Sequence, residues 1–240
     1  MRRPTGAGGK KGIFSFHRES SGMTVEKFET LWPVLGRQVS TLQLPWLDRL
    51  ADSGRDPFRV LVSCILSLRT KDQVTGQASE RLFRLASTPG EMARLEVGRI
   101  EEAIFPVGFY RVKAGRIRKI SREIGERYHG RVPDTIDELL SLEGVGRKTA
   151  NLVLTLGYDR DGICVDTHVH RIVNRWGLVR TPTPLQTEFV LREVLPVRYW
   201  KRLNGVLVAF GQGICKPLSP LCSRCSISTF CGRAGVVRSR

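Results

Sequence analysis

Three groups of residues in this chain of 240 have types and spacings that suit chemistry. The first lies in LEGVGRKTANLVL, residues 142–154, where Gly144-Val145-Gly146 pinches a turn between two helix-forming stretches. Two glycines around an apolar residue permit a tight turn whose backbone N–H groups point outward together. The helix that follows adds its own unpaired N–H groups and its positive dipole end. Such a turn can hold a phosphate without reading base sequence, with Val145 tucked inward and Arg147 alongside. An ordinary αα-hairpin turn accounts for the same residues. A P-loop does not: it needs glycine at 141 and lysine at 147, where Ser141 and Arg147 stand. A dinucleotide fingerprint needs a preceding strand and a third glycine, and position 149 is Thr.

The second group is Lys148 with Asp166. A lysine is nucleophilic only as the neutral amine. A helix N-terminus, partial desolvation and a cationic neighbour such as Arg147 all disfavour the ammonium. The helix from Arg147 to about Leu156 carries the chain roughly 15 Å away at a rise of about 1.5 Å per residue. The extended GICVD segment, 162–166, returns over a similar distance, which allows Asp166 to meet the amine. On the hairpin alone, a phosphate-contacting lysine is the simpler reading, and Asp166 in VDTH has the look of a helix N-cap. A capping carboxylate still has a second oxygen free for chemistry.

The third group is CKPLSPLCSRCSISTFC, in which Cys215, Cys222, Cys225 and Cys231 follow the spacing C-x6-C-x2-C-x5-C. A 17-residue loop with two prolines cannot build a core, so a metal must hold it together. Four thiolates suit either zinc or a 4Fe-4S cluster; the single Cys-x-x-Cys pair, where zinc ribbons usually bring two, favours iron–sulfur. The opening MRRPTGAGGKKG has no apolar h-region, so export and disulfides are not expected. Cys64 and Cys164 lie among apolar neighbours and read as inert core thiols.

The elements that must position these groups read as helices nearly throughout. Asp56-Pro57 opens one with Phe58, Leu61, Val62 and Ile65 on its apolar stripe. Thr88-Pro89 opens another, FPVGF (105–109) closes the one around Ile100 and Ile104, and Ile117, Ile120, Ile124 and Tyr128 line a long helix. Pro133-Asp134 is expected to cap a short helix, Asp166 or Thr167 the next long one, and Gly177 to end it. No strand alternation is visible, so the fold class is all-α. The net charge of +16 and pI of about 10.3 favour a polyanionic partner, although arginine-rich composition (30 Arg, 9 Lys) can also follow genome bias. No apolar run reaches 18 residues, which excludes a membrane span.

In combination, LEGVGRKTANLVL, then VDTHVHRIVNRWG (165–177), then the four-cysteine loop resemble the endonuclease III family of DNA glycosylase/AP lyases in the helix-hairpin-helix superfamily. ILSLRTKD (65–72) and VGFYRVKAGRI (107–117) match stretches of that family in the same order, so the likeness covers roughly residues 28 to 233. It implies a six-helix barrel over 50–160 with the helix-hairpin-helix at about 135–156. A second domain, 24–49 with 161–240, would carry one structural 4Fe-4S cluster on the loop 215–231. Residues 1–23 would form a flexible basic arm.

The resemblance further implies excision of oxidised pyrimidines from double-stranded DNA and strand cleavage at the abasic site. Lys148 would form the Schiff base, Asp166 would assist, and Gly144, Val145, Gly146 and Arg147 would hold the backbone, with His168 and Arg171 as further contacts. A monomer in a bacterial cytoplasm, associated with the nucleoid and not with membrane, is the expected setting. Departures are Arg69 where the family commonly has glutamine, Phe109 where it commonly has an intercalating leucine, and Glu143 where proline is frequent. The alternatives are a monofunctional mismatch-type or adenine-type glycosylase, which lacks the hairpin lysine, and a non-catalytic DNA-binding module.

Overall fold

The computed structural model describes residues 23–240 and, among them, contains helices and no strand. The basic arm lies outside the described residues except for Met23, which is buried and donates its N–H to the carbonyl of Trp176 at 3.1 Å. In chain order the helices are α1 (Val25–Val39), α2 (Trp46–Asp52), α3 (Pro57–Ser67), α4 (Asp72–Leu85), α5 (Pro89–Arg94) and α6 (Val97–Ile104). They continue with α7 (Tyr110–Tyr128), α8 (Ile136–Ser141), α9 (Arg147–Leu152), α10 (Thr167–Trp176), α11 (Pro184–Val194) and α12 (Trp200–Gly213).

Local chemistry explains most of the boundaries. Asp56 accepts from the N–H groups of Phe58 and Arg59, and Thr88 forms a reciprocal capping box with Glu91. Asp166 caps α10, and Gly177 ends it at φ +76°. The short helix α8 starts one residue later than Pro133-Asp134 suggests. Its cap is Thr135, whose hydroxyl accepts from the N–H of Glu138. α9 does not run on as a regular helix to Leu156; after Leu152 it widens into a π turn, Val153–Gly157.

Two buried clusters form. The first is centred on α3, whose Val60, Leu61, Ile65 and Leu66 are at most 1% exposed, and α3 packs on α2, α4, α7, α9 and the π turn. The second joins α1 to α10, α11 and α12 through Phe28, Leu35, Ile172, Trp176, Leu207 and Phe210. Each fully buried side chain of this kind contributes about 1.5–3 kcal/mol. The extended segment just before Asp166 serves both clusters, with Cys164 packed in the first and Ile163 and Val165 in the second.

Candidate active site

The hairpin turn works through one unusual backbone position. Gly144 has φ +81°, a conformation that selects glycine, and the Arg116 side chain lies over it with Nε 2.7 Å from where a Cβ would stand. Gly146 has ordinary extended geometry (φ −98°) and nothing within 4 Å of a hypothetical Cβ, which leaves its backbone open to approach. Val145 is 6% exposed and donates its N–H to Leu142 O at 3.1 Å, fixing the turn from inside. No side chain caps the N–H groups that open α9.

Lys148 sits in the first turn of α9, its side chain 42% exposed, with Nζ 3.5 Å from Asp166 Oδ2. The other Asp166 oxygen accepts from the N–H groups of His168 (2.8 Å) and Val169 (3.0 Å). One carboxylate, 8% exposed, thus caps α10 and faces the amine at the same time. The floor beside them is neutral: burial pushes the Cys64 thiol up to about 12 and the Cys164 thiol well above its usual range. Cys164 Sγ lies 3.7 Å from the carbonyl of Lys148.

The amine is not neutral in the free protein, contrary to the expectation from helix position. Burial works to lower the Lys148 pKa, but the Asp166 carboxylate opposes it and the balance lies above the ordinary lysine value. Arg147 does not push the other way, because its guanidinium turns aside to Glu188 (Nη2 to Oε1 2.6 Å, Nε to Oε2 3.0 Å) and lies over the Phe189 ring. The resting pair is therefore an ammonium beside a carboxylate.

Other residues singled out from sequence fall in two places. Arg69 and Phe109 come together at the protein surface, the guanidinium 5.7 Å from the ring centroid, and both have positive φ (+53° and +59°). His168 and Arg171, both half-buried, lie against α12 and the cysteine loop. His168 Nδ1 is 3.3 Å from Arg171 Nη2, which donates to the carbonyl of Cys215 at 2.8 Å, and both pack against Gly211 of α12. Burial lowers the His168 pKa, so its ring is neutral near pH 7. These contacts bind α10 to the cysteine loop.

The four loop cysteines wall one small cavity with Trp176 and Phe210. Arg175 holds its rim, donating to Cys215 Sγ (3.3 Å) and to the carbonyls of Lys216 (2.9 Å) and Pro217 (3.0 Å). Burial pushes the Cys225 thiol up to about 11. Among the described residues, no group of three or more His, Cys, Asp or Glu converges as a single metal ion requires.

Sequence reasoning missed three buried charges: Arg175, described above, Glu188 and Lys113. Glu188 sits on α11 three residues before buried Leu191 and seven before buried Leu195, and Lys113 sits on α7 one turn before buried Ile117. A charge on an apolar stripe is a signal that a partner must exist.

Residues 62–197 match the family model described as HhH-GPD superfamily base excision DNA repair protein. The chain is 51% identical over 176 residues to an endonuclease III of Thermotoga maritima, covering 73% of this chain and 83% of that one. It is 42% identical over 188 residues to an endonuclease III homolog of Encephalitozoon cuniculi, covering 72% and 78%. Its fold superposes with a TM-score of 0.76 on a trapped endonuclease III–DNA covalent intermediate with an estranged adenine. That match has 30% identity over 87% of this chain and 96% of the other.

Proposed function

Because this chain belongs to the endonuclease III family of HhH-GPD base excision repair proteins, and is thereby a DNA glycosylase and AP lyase, we propose that Lys148 is its nucleophile and oxidised pyrimidines in duplex DNA its substrates. The observation that carries this is the 3.5 Å pair of Lys148 with a carboxylate that is itself pinned by two backbone N–H groups.

The pair supplies its own activation. Asp166 is the nearest acceptor for the ammonium proton. A flipped deoxyribose inserted between the two side chains separates them, which removes the carboxylate's stabilisation and leaves desolvation unopposed. Lys148 Nζ then attacks C1′. The C1′–N bond breaks, and its electron pair leaves with the base, which takes the proton that Asp166 received from Lys148 and so returns Asp166 to the carboxylate. Ring opening gives the Schiff base, an electron sink that acidifies C2′. Loss of a C2′ proton expels the 3′ phosphate by β-elimination. Asp166 stabilises the positive charge that develops on the sugar before the new bond is complete. Gly144–Gly146 and the uncapped start of α9 hold the neighbouring phosphate. Arg69 and Phe109 fill the space the nucleotide vacates.

Asp166→Asn separates these roles. The amide keeps a capping oxygen, so the fold is retained, whereas the charge that raises the Lys148 pKa is gone. At subsaturating DNA, where the profile reports the free protein, the half-maximal pH for Schiff-base formation on an abasic site is expected to move down, because Asp166 no longer opposes the effect of burial. The maximal rate is expected to fall about 10²–10⁴-fold. A single-turnover pH profile that keeps its midpoint would show that Asp166 does not set the lysine's ionisation.

The four cysteines fit a 4Fe-4S cluster on donor chemistry. They wall one cavity, and Arg175 donates to one sulfur. Bound there, the cluster would act structurally by fixing the loop that holds α10 through Arg171 and Arg175. The purified protein is expected to be brown with about four irons per chain, and stripping the iron is expected to lower its unfolding temperature. Colourless protein with stoichiometric zinc would exclude this assignment.

Damaged or abasic duplex DNA bound by a monomer is the partner this reading fits. It also fits a bacterial cytoplasm, and no described helix is long and apolar enough to cross a membrane. Borohydride trapping tests the reaction. Covalent adducts are expected with oligonucleotides carrying thymine glycol or an abasic site; base release without any adduct would mean a monofunctional enzyme.

A further inference from the structure

Lys113 lies in the first turn of α7, 4% exposed, with no carboxylate bonded to it. Its ammonium donates to Leu66 O (2.9 Å), Leu68 O (2.5 Å) and Thr70 Oγ1 (3.2 Å). The first two are carbonyls at the end of α3, where a cation also complements the helix dipole, and Leu68 O accepts from Thr70 Oγ1 as well, at 3.3 Å. Held only by neutral oxygens, and with Arg116 nearby, the buried amine has its pKa pushed down to about 8. Burying such a group costs free energy, so its geometry serves more than solubility.

That geometry connects two loops. Thr70 Oγ1, which Lys113 contacts, also accepts the N–H of Gly108 at 3.2 Å. A Cβ on Gly108 would lie 2.8 Å from the backbone oxygen of Arg69, so only glycine lets the two backbones meet. Residues 68–70 bring Arg69 at φ +53°, and residues 105–109 bring Phe109 at φ +59° and 61% exposed. Together the two loops hold the guanidinium above the ring.

We propose that Lys113 is a positioning residue that rivets the Arg69 loop to the Phe109 loop, so that both side chains enter the base stack as one rigid wedge. This rests on the reading of Arg69 and Phe109 as the groups that fill the vacated stack. A rigid wedge presents both side chains without ordering them at the moment of flipping, and flipping is the step whose cost depends on filling the gap. Lys113 touches neither the sugar nor the base, so its effect must appear only where a stack has to be opened.

The test compares two substrates in single turnover: excision of thymine glycol from a duplex, and cleavage of a single-stranded oligonucleotide that already carries an abasic site. Lys113→Met keeps the length of the side chain and removes the rivet. Duplex excision is expected to fall about 10–100-fold, the loss typical of a small misplacement of positioned groups, with single-strand cleavage unchanged. Gly108→Ala, which forces the loops apart without touching Lys113, is expected to give the same split. Equal losses on both substrates in both variants would make the contacts purely structural and overturn the proposal. If Phe109→Ala lowers duplex excision while Lys113→Met and Gly108→Ala do not, the rivet is wrong and the wedge stands. If Phe109→Ala has no effect on duplex excision, the wedge reading itself fails.

Discussion

Lys148→Ala is expected to abolish borohydride trapping on every substrate and to lower strand cleavage on the order of 10⁴-fold or more, because among the described residues no other primary amine bonds the capped carboxylate. Stability should change little, since the side chain is 42% exposed and its ion pair is partly solvated. The variant should also bind abasic duplex about as tightly as the parent, because the turn and the uncapped N–H groups of α9 remain. Lys148→Arg makes the stronger version of the test. Its guanidinium keeps the charge beside Asp166 but does not deprotonate at accessible pH, so phosphate contact survives while nucleophilic attack does not. Trapping or near-normal cleavage by the arginine variant would mean that Lys148 only contacts DNA, the simpler reading that the hairpin alone allowed. The upward shift of the lysine belongs to the free protein, so at subsaturating DNA activity should rise with pH through the alkaline range, and saturating DNA should move that rise to lower pH.

The reasons why parts of the site were legible in the sequence, and others not, are physical. The all-α fold follows from 3.6-residue periodicity and from caps such as Asp56-Pro57 and Asp166, which are local signals. The hairpin was visible because Gly144 sits at φ +81°, a conformation that narrows the choice of residue to glycine. The ionisation of Lys148 was not legible. It depends on a balance between burial and Asp166, 18 positions away, and on Arg147 turning toward a helix 41 positions away. Helix position gave the wrong sign because it weighed only the near neighbours. His168 and Arg171 follow Asp166 closely enough to suggest DNA contacts, yet the 3.6-residue period of α10 places them against α12 and the cysteine loop. Lys113 and Glu188 were legible in principle as charges on apolar stripes, but their partners are set by tertiary packing alone.

Glu188 shows what that packing does for the site, and Glu188→Ala should be the most destabilising single change around it. The carboxylate is 4% exposed on its side chain and is fully occupied: Arg147 binds it through two nitrogens, Asn151 Nδ2 at 3.2 Å, and Arg192 through Nε at 3.2 Å and Nη2 at 3.1 Å. Arg192 Nη2 closes the network on Asn151 Oδ1 at 3.0 Å. Burial alone would raise the Glu188 pKa, yet the hydrogen bonds from Arg147 and Asn151 and the two guanidinium charges outweigh it and hold it below the ordinary 4.5. A depressed carboxylate pKa means that this contribution to stability is fully present above the unfolded-state value and is lost as pH falls through the folded one. Removing the carboxylate leaves two arginines without their anion. Both keep roughly a third of their surface in water (31% and 28% exposed), so the cost should sit at the lower end for a broken buried pair, about 2–4 kcal/mol. For a chain of this size that corresponds to a fall of about 5–15 °C in unfolding temperature. Iron content should be unchanged, which separates this effect from loss of the cysteine loop. Glu188→Gln removes only the charge, and it should flatten the decline of stability below pH 4.5 that the parent shows. Because Arg147 immediately precedes Lys148, and Asn151 lies one turn further along the same helix, loosening this network lets α9 shift against α10. The Lys148–Asp166 distance is set between those two helices, so the variant should lose Schiff-base formation at 25 °C while still fully folded. A destabilised variant with an unaltered rate of trapping would show that the network supports the fold without aiming the amine.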